Sequence, residues 1–378
     1  MKVSCPQAAL ARGLATVNRA VATRSTLPIL SNILLETEDD RLKLSATNLE
    51  LGISCWIDAT VRSPGSTTVP ARLLTDFVNS LPDGEIDLDL NGRNQTLKLA
   101  SDRYKADIRG ISADDFPLMP SIDEGVRFSL DPIELRSMIG QAVIASAHDD
   151  ARPILTGVLM VADPDLGKLT LAAADGFRLS VRVGELDAPI DGRVSIIVPA
   201  RALTELQRVA NDEDDRVDVA ITPNRNQILF QLRDIDIVSQ LIEGNFPDFE
   251  KIVPAGFTTR VVVNTKALHA AARIASLFAR DAANVVRLRI DPGDELGGTV
   301  TVTAQAAEIG GNESEIEASV EGEGMEIAFN AKYLLDVLNV IGSEQVALEV
   351  AGPSSPGVIR PVDDTPFTHV IMPMHIAR

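Results

Sequence analysis

Val198-Pro199-Ala200-Arg201-Ala202-Leu203-Thr204-Glu205-Leu206 occurs earlier almost verbatim as Val69-Pro70-Ala71-Arg72-Leu73-Leu74-Thr75-Asp76-Phe77. It occurs later, more altered, as Phe329-Asn330-Ala331-Lys332-Tyr333-Leu334-Leu335-Asp336-Val337. The copies begin at positions 69, 198 and 329, a period of about 130 residues. In each, Pro or Asn precedes Ala and a cation, and apolar residues at helical spacing follow with one acid among them. This order predicts a strand running into a capped or Pro-started helix with the cation in its first turn. A cation there opposes the helix dipole, so its threefold recurrence points to something anionic nearby.

Other markers keep the same beat. Leu27-Pro28-Ile29-Leu30-Ser31-Asn32 recurs as Arg152-Pro153-Ile154-Leu155-Thr156-Gly157, Asp115-Phe116-Pro117 recurs as Asn245-Phe246-Pro247, and Met372-Pro373 closes the third repeat. Three domains are therefore expected, at 1–124, 125–255 and 256–378, with no separate catalytic domain. The first repeat opens with a helix over Pro6 to Ala20, on which Leu10, Leu14 and Val17 share a face. Short strands follow at Ile33 to Glu36, Leu42 to Thr47, Leu51 to Ile57 and Thr67 to Val69, then a second helix over Ala71 to Ser80. Strands return at Ile86 to Leu90, Thr96 to Ala100 and Tyr104 to Gly110, with a hairpin signal at Asn91-Gly92. The second and third repeats follow suit, with helices over Asp131-Pro132 to Ser146, Ala200 to Ala210 and Asn264 to Ala279. The class is α+β, two helices and antiparallel strands per repeat.

Hydrophobic residues make up 45% of the chain and aromatics 4%, so the cores must be built from Leu, Ile, Val and Ala. No long apolar run suggests a membrane span, and Met1-Lys2-Val3-Ser4 leads into an amphipathic segment, so a soluble cytoplasmic protein is expected. Cys5 and Cys55 are too few for a disulfide framework and fit a reducing compartment. A net charge of −19 argues at face value against a nucleic-acid partner. The helix candidates nevertheless carry Arg12, Arg19, Arg72, Arg136, Arg201, Arg208, Lys266, Arg273, Arg280 and Lys332 against Asp76, Asp131, Glu134, Glu205 and Asp336. Charge sorted this way offers a basic face on an acidic body, attractive to a polyanion in one place only. The acids Glu313, Glu315, Glu317, Glu321, Glu323 and Glu326 read instead as a solvated strand face.

Catalytic constellations are scarce. His148-Asp149 resembles the metal-binding pair of HD-type phosphohydrolases, which makes a metal-dependent phosphohydrolase the runner-up. The remaining His269, His369 and His375 lack ligand spacing, and the connection His148-Asp149-Asp150-Ala151-Arg152 otherwise reads as a link between helix and strand. There is no Walker loop, nucleophile elbow or Cys/His cluster. The expectation is a binding protein rather than an enzyme, with no cofactor and no metal.

Together, Thr26-Leu27-Pro28-Ile29-Leu30, Val69-Pro70-Ala71-Arg72, Asp115-Phe116-Pro117, Ala174-Asp175-Gly176-Phe177-Arg178-Leu179, Asn245-Phe246-Pro247-Asp248-Phe249, Met325 to Val340 and Val370-Ile371-Met372-Pro373-Met374 resemble the bacterial β sliding clamp family, processivity subunits of the replicative DNA polymerase. The resemblance covers the whole chain. It implies three clamp domains forming half of a closed ring, a head-to-tail homodimer with helices lining the hole and sheets outside, encircling double-stranded DNA without reading its sequence. DNA contacts implied by the family fall on Arg24, Arg72 and Arg201, with Arg152 in a suitable connection; Asp149 departs from a commonly uncharged position. The dimer joint implied falls on Leu277 and Phe278, with the partner edge near Ile108.

The resemblance also implies a pocket for short peptides of DNA polymerases, the clamp loader and repair factors. Its positions fall on Leu155, Gly176, Phe177, Arg178, Leu179, Pro247, Ile252, Asn330, Tyr333, Pro356, Val370, Met372, Pro373 and Met374. Flexible Met suits a surface that accepts several ligands. Phe177 stands where a polar residue is common and Lys251 where Arg is frequent. A scaffold that gathers peptides without DNA is a further alternative, and a ring of this kind needs an ATP-driven loader because the chain has no nucleotide motif of its own.

Overall fold

Among the described residues six α-helices alternate with antiparallel strands: α1 (Gln7–Val17), α2 (Ala71–Asn79), α3 (Pro132–Val143), α4 (Ala200–Val209), α5 (Thr265–Ala279) and α6 (Ala331–Val340). Each of the three clamp domains contributes two of them. The computed structural model describes all residues except 121–123, 150, 187–189, 191, 212–213, 281, 295–296 and 376–378, and the side chain of residue 294. Asp150 of the His148 connection thus lies outside the described residues. By its contacts the chain divides into two units, Met1–Arg136 with Asp187–Asp191 and Arg201–Leu241, and Ser137–Leu186 with Gly192–Ala200 and Ile242–Arg378.

The first unit holds a five-stranded and an eight-stranded sheet. The smaller runs Thr60–Ser63, Lys2–Pro6, Glu85–Asn91, Thr96–Ser101, Tyr104–Arg109, so Tyr104–Arg109 is an edge. The larger joins Val126–Leu130, Val217–Ile221, Gln227–Gln231 and Ile235–Gln240 of the second repeat to Leu51–Asp58, Arg41–Thr47, Asn32–Glu38 and Ser66–Pro70 of the first. The join is antiparallel, with Ile237 opposite Ile53 and Ser239 opposite Leu51. Leu10, Leu14 and Val17 of α1 are fully buried, as their spacing predicts. A Cβ on Gly13 would stand 2.6 Å from Leu44 Cδ1, so the helix approaches its sheet only because that position has no side chain.

The second unit is organised around a twelve-stranded sheet. Here the second repeat's Arg178–Glu185 pairs antiparallel with the third repeat's Phe367–Ile371, setting Arg178 opposite Ile371 and Leu179 opposite Val370. Both joins use corresponding strands of successive repeats, which is why contacts tie half of the middle repeat to each neighbour. The main core brings Leu268, Ala272 and Ala275 of α5 and Leu334 and Val337 of α6 against Val261, Leu288, Val302 and Leu348 of the sheet. Small Ala residues let the helices sit close to the strands, and Phe329 supplies bulk.

Several boundaries differ from the sequence reading. Strands Lys2–Pro6 and Thr60–Ser63 pair with each other, and Lys2–Pro6 also with Glu85–Asn91. Both short segments are defined by distant partners rather than by their own pattern. The helix expected to reach Ser146 ends at Val143, where the Ser146 hydroxyl donates to the Val143 carbonyl at 2.8 Å and competes with helix continuation. Asp131 does cap it, its carboxylate accepting from the Glu134 amide at 2.7 Å. Pro70 makes no side-chain cap but ends its strand, whereas Asn330 caps α6 through the Lys332 amide at 2.9 Å. Cys5 and Cys55 are buried free thiols, pushed up to about 12 and about 11 chiefly by burial, which keeps them un-ionised and inert. No helix among the described residues is long and apolar enough to cross a membrane.

Candidate functional site

The repeated helix-start cations reach solvent. Arg72 is 95% exposed with Asp76 at 3.7 Å, a pairing too solvated to withhold its charge from a ligand. Arg201 is exposed and donates to the Arg19 carbonyl at 2.8 Å, and Arg19 lies 3.5 Å from the buried Glu205 carboxylate. Arg24 is exposed in the segment before the 3-10 turn Pro28–Ser31. Arg24, Arg72 and Arg201 all belong to the first unit.

Arg152 has different company. Its Nη2 donates to the Asp175 carbonyl at 2.8 Å, and a Cβ on Gly176 would lie 2.7 Å from its Nη1. The guanidinium thus supports the turn that carries Gly176 and Phe177, while Arg152 itself stays exposed. Asp149 closes a local turn, its carboxylate accepting from the Ala151 amide at 2.9 Å. His148 and Asp149 are both exposed, and among the described residues no group of three or more His, Cys, Asp or Glu is placed to hold a metal ion.

Apolar residues gather in the second unit around the join of Arg178–Glu185 and Phe367–Ile371. Asp175 Oδ1 accepts from the amides of Phe177 at 2.9 Å and Arg178 at 3.0 Å, folding a tight turn through Gly176 at φ 91°. The turn turns the Phe177 ring outward, 58% exposed, close in chain pairing to Met372 at 42%, whose amide donates to the Phe177 carbonyl at 2.8 Å. Beneath them Leu179 and Val370 are buried with Ala174 and Val358, and Phe246, Phe249 and Val253 pack onto that patch. The 3-10 turn Phe249–Lys251 leads to Ile252, 38% exposed, and Pro247 is exposed beside it in sequence. Leu155, Pro356, Pro373 and Met374 are half-buried, and the Met374 amide donates to the Ala328 carbonyl at 2.8 Å. Leu179 and Val370 therefore supply a floor, while Phe177, Met372 and Ile252 offer apolar contact surface.

At one side stands an ionic cluster that the sequence reading did not assemble. Arg178 is 3% exposed; its Nε donates to Asp175 Oδ2 at 3.0 Å and its Nη1 to Asp336 Oδ2 at 2.6 Å. Its guanidinium lies 4.3 Å from the Tyr333 ring centroid. A guanidinium so desolvated is tolerated because it is paired twice and stacked. Burial, then the Asp175 charge, raises the Tyr333 phenol above its ordinary value. His369 is fully buried with Nδ1 2.7 Å from the Ser180 hydroxyl; burial, assisted by Arg178, lowers it to about 3, so it is neutral. The available signal was Asp336 itself, the recurring acid of the repeat, together with Tyr333 where the other copies have Leu73 and Ala202. At the rim, Lys251 pairs with Asp248 at 2.7 Å, which raises the amine and lowers the carboxyl.

The residues expected at a subunit joint divide. Ile108 is 2% exposed, opposite Leu97 in the core of its own sheet, so its side chain is not available to a partner, although its strand is an edge. Leu277 is 55% and Ile274 44% exposed on α5, while Phe278 is half-buried against the core. The strand Gly310–Gly322 pairs with Gly297–Ala306 along 310–318 but with Thr259–Asn264 only along 318–322. Among the described residues its first part therefore has a neighbour on one side only, and Glu313, Glu315 and Glu317 there are exposed, as the alternation suggested.

Models of the DNA polymerase III beta subunit match nearly the whole length in three parts: the N-terminal domain at residues 1–120, the central domain at 129–248 and the C-terminal domain at 250–375. The beta sliding clamp of Synechocystis sp. is 33% identical over 396 residues, with 100% of each chain covered. A crystal structure of the DNA polymerase sliding clamp from Bacillus subtilis is 29% identical with a TM-score of 0.92, and one of the DNA polymerase III subunit beta from Pseudomonas aeruginosa 30% identical with a TM-score of 0.89, each with 100% of both chains covered. On the threefold repeat, the fold and these likenesses over its full length, the chain belongs to the DNA polymerase III beta subunit family, the bacterial beta sliding clamps.

Proposed function

We propose that this chain is a DNA sliding clamp that acts without catalysis: as a head-to-tail homodimer it encircles duplex DNA in the cytoplasm and tethers the replicative polymerase. Three domains, 1–124, 125–255 and 256–378, make each half of the ring. The observation that carries this reading is the pattern of sheet joins. Successive repeats are joined strand to strand twice, at Leu51–Asp58 with Ile235–Gln240 and at Arg178–Glu185 with Phe367–Ile371. The corresponding strands at the two ends, Tyr104–Arg109 and the first part of Gly310–Gly322, lack that neighbour. Unlike, complementary ends of an array of repeats can close by pairing with a second copy, which also removes exposed edges. Exposed Glu313, Glu315 and Glu317 disfavour that end meeting itself, and Lys105 and Arg109, with the exposed Asp107 between them, leave the other end net basic. Leu277 and Phe278 contribute apolar surface at the same joint.

Arg24, Arg72 and Arg201 attract phosphates of any sequence, as sliding demands. A groove around Phe177, Met372 and Ile252 receives short apolar peptides from polymerases, the clamp loader and repair factors. Particle images of the purified protein test the reading: closed rings with a central hole are expected, and a population of monomers or open arcs at micromolar concentration contradicts it.

A further inference from the structure

We propose that Asp336 is a positioning residue of the groove, holding Tyr333 and the Asp175–Phe177 turn in the arrangement that receives a peptide; this rests on the reading of the groove as a peptide site. Asp336 lies one turn along α6 from Tyr333, and its Oδ2 takes the Arg178 Nη1 at 2.6 Å. The same guanidinium binds Asp175 through Nε at 3.0 Å and covers the Tyr333 ring at 4.3 Å. Asp175 in turn accepts the Phe177 amide at 2.9 Å. One buried cation thereby connects the aromatic ring on the third repeat's helix with the turn of the second repeat that carries Phe177.

The repeat shows what is particular here. The equivalent acid Asp76 faces solvent beside Arg72, with side chains 70% and 95% exposed, and the buried Glu205 binds Arg208 of its own helix at 2.8 Å and Arg19 of the first repeat at 3.5 Å, with no aromatic ring among the described residues between. Only the third copy has an aromatic residue at the position of Tyr333, where the others have Leu73 and Ala202. Without Asp336, Arg178 keeps a single carboxylate, and an underpaired guanidinium gains by turning toward water. Ring and turn then lose their common support, and a ligand must order them on binding.

The test is titration of a fluorescein-labelled short Leu/Phe peptide into the full chain, with thermal melting of each variant. Asp336→Ala is expected to weaken binding about tenfold, the size of one charge-assisted hydrogen bond, and Asp336→Glu to restore most of it. Rescue by Glu separates positioning from a merely filled volume. Should Asp336→Ala not fold, Asp336→Asn, which keeps size and an acceptor but not the charge, carries the comparison. A folded Asp336→Ala or Asp336→Asn that binds as the wild type does, or a Glu variant no better than Ala, overturns the proposal while leaving the groove in place. Failure of the wild-type chain itself to bind overturns the groove reading, and this inference with it.

Discussion

The Met372 amide donates to the Phe177 carbonyl at 2.8 Å, and the Gln240 amide donates to the Glu50 carbonyl at the same distance. The two bonds occupy corresponding places at the two internal joins. In one turn Asp175 accepts from Phe177 and Arg178; in the other Asn48 accepts from Glu50 and Leu51. The same backbone frame thus recurs with different side chains. Phe177 and Met372 make the second copy apolar where Glu50 and Gln240 make the first polar, which is why a peptide site is assigned to one join and not to both.

Replacing Met372 and Met374 by Ala removes flexible apolar anchors from that frame. Peptide binding, followed by calorimetric titration, is expected to weaken by ~1 kcal/mol or more. Unchanged curves would remove the pocket assignment.

Arg24→Glu combined with Arg201→Glu reverses charge on exposed side chains without opening a core. DNA retention should fall and depend less steeply on salt than that of the wild type, while sedimentation still shows a dimer. Loss of the dimer instead would move these residues from the DNA face to the joint.

Leu277 and Ile108 should separate sharply. Leu277→Asp puts a charge on an exposed apolar position and is expected to shift sedimentation toward monomer with little change in melting temperature. Ile108→Ala empties a buried site and should cost about 2–4 kcal/mol of stability, read by denaturant unfolding.

His369 makes stability depend on pH. Its folded value of about 3 lies below the ordinary 6.5, so between those values the unfolded chain binds the extra proton. The contribution of the neutral ring is complete above pH 6.5 and is lost as pH falls toward 3. His369→Gln should flatten that part of the melting-temperature profile; an unchanged slope would place the acid sensitivity elsewhere.

Much of the architecture was legible. The period of the repeat, the α1 core face and the caps at Asp131 and Asn330 follow from local spacing and side-chain chemistry. What escaped depends on distant partners. Lys2–Pro6 is a strand because Glu85–Asn91 lies beside it, and Arg178 is buried because Asp336 and Tyr333 approach from a segment more than a hundred residues away. Ile108 belongs to an edge strand, but pleating turns its side chain inward, a distinction that position in the chain alone does not make. Arg152 illustrates the same limit, since the carbonyl it binds at Asp175 is fixed by a turn and not by its neighbours in sequence.

Encirclement is tested most directly by loading the protein onto nicked circular DNA with a clamp loader and then cutting the circle once. Retention on the intact circle through gel filtration, followed by release after the cut, is the expected result. Equal retention on circular and linear DNA would contradict a topological hold and reduce the cations to an ordinary binding surface.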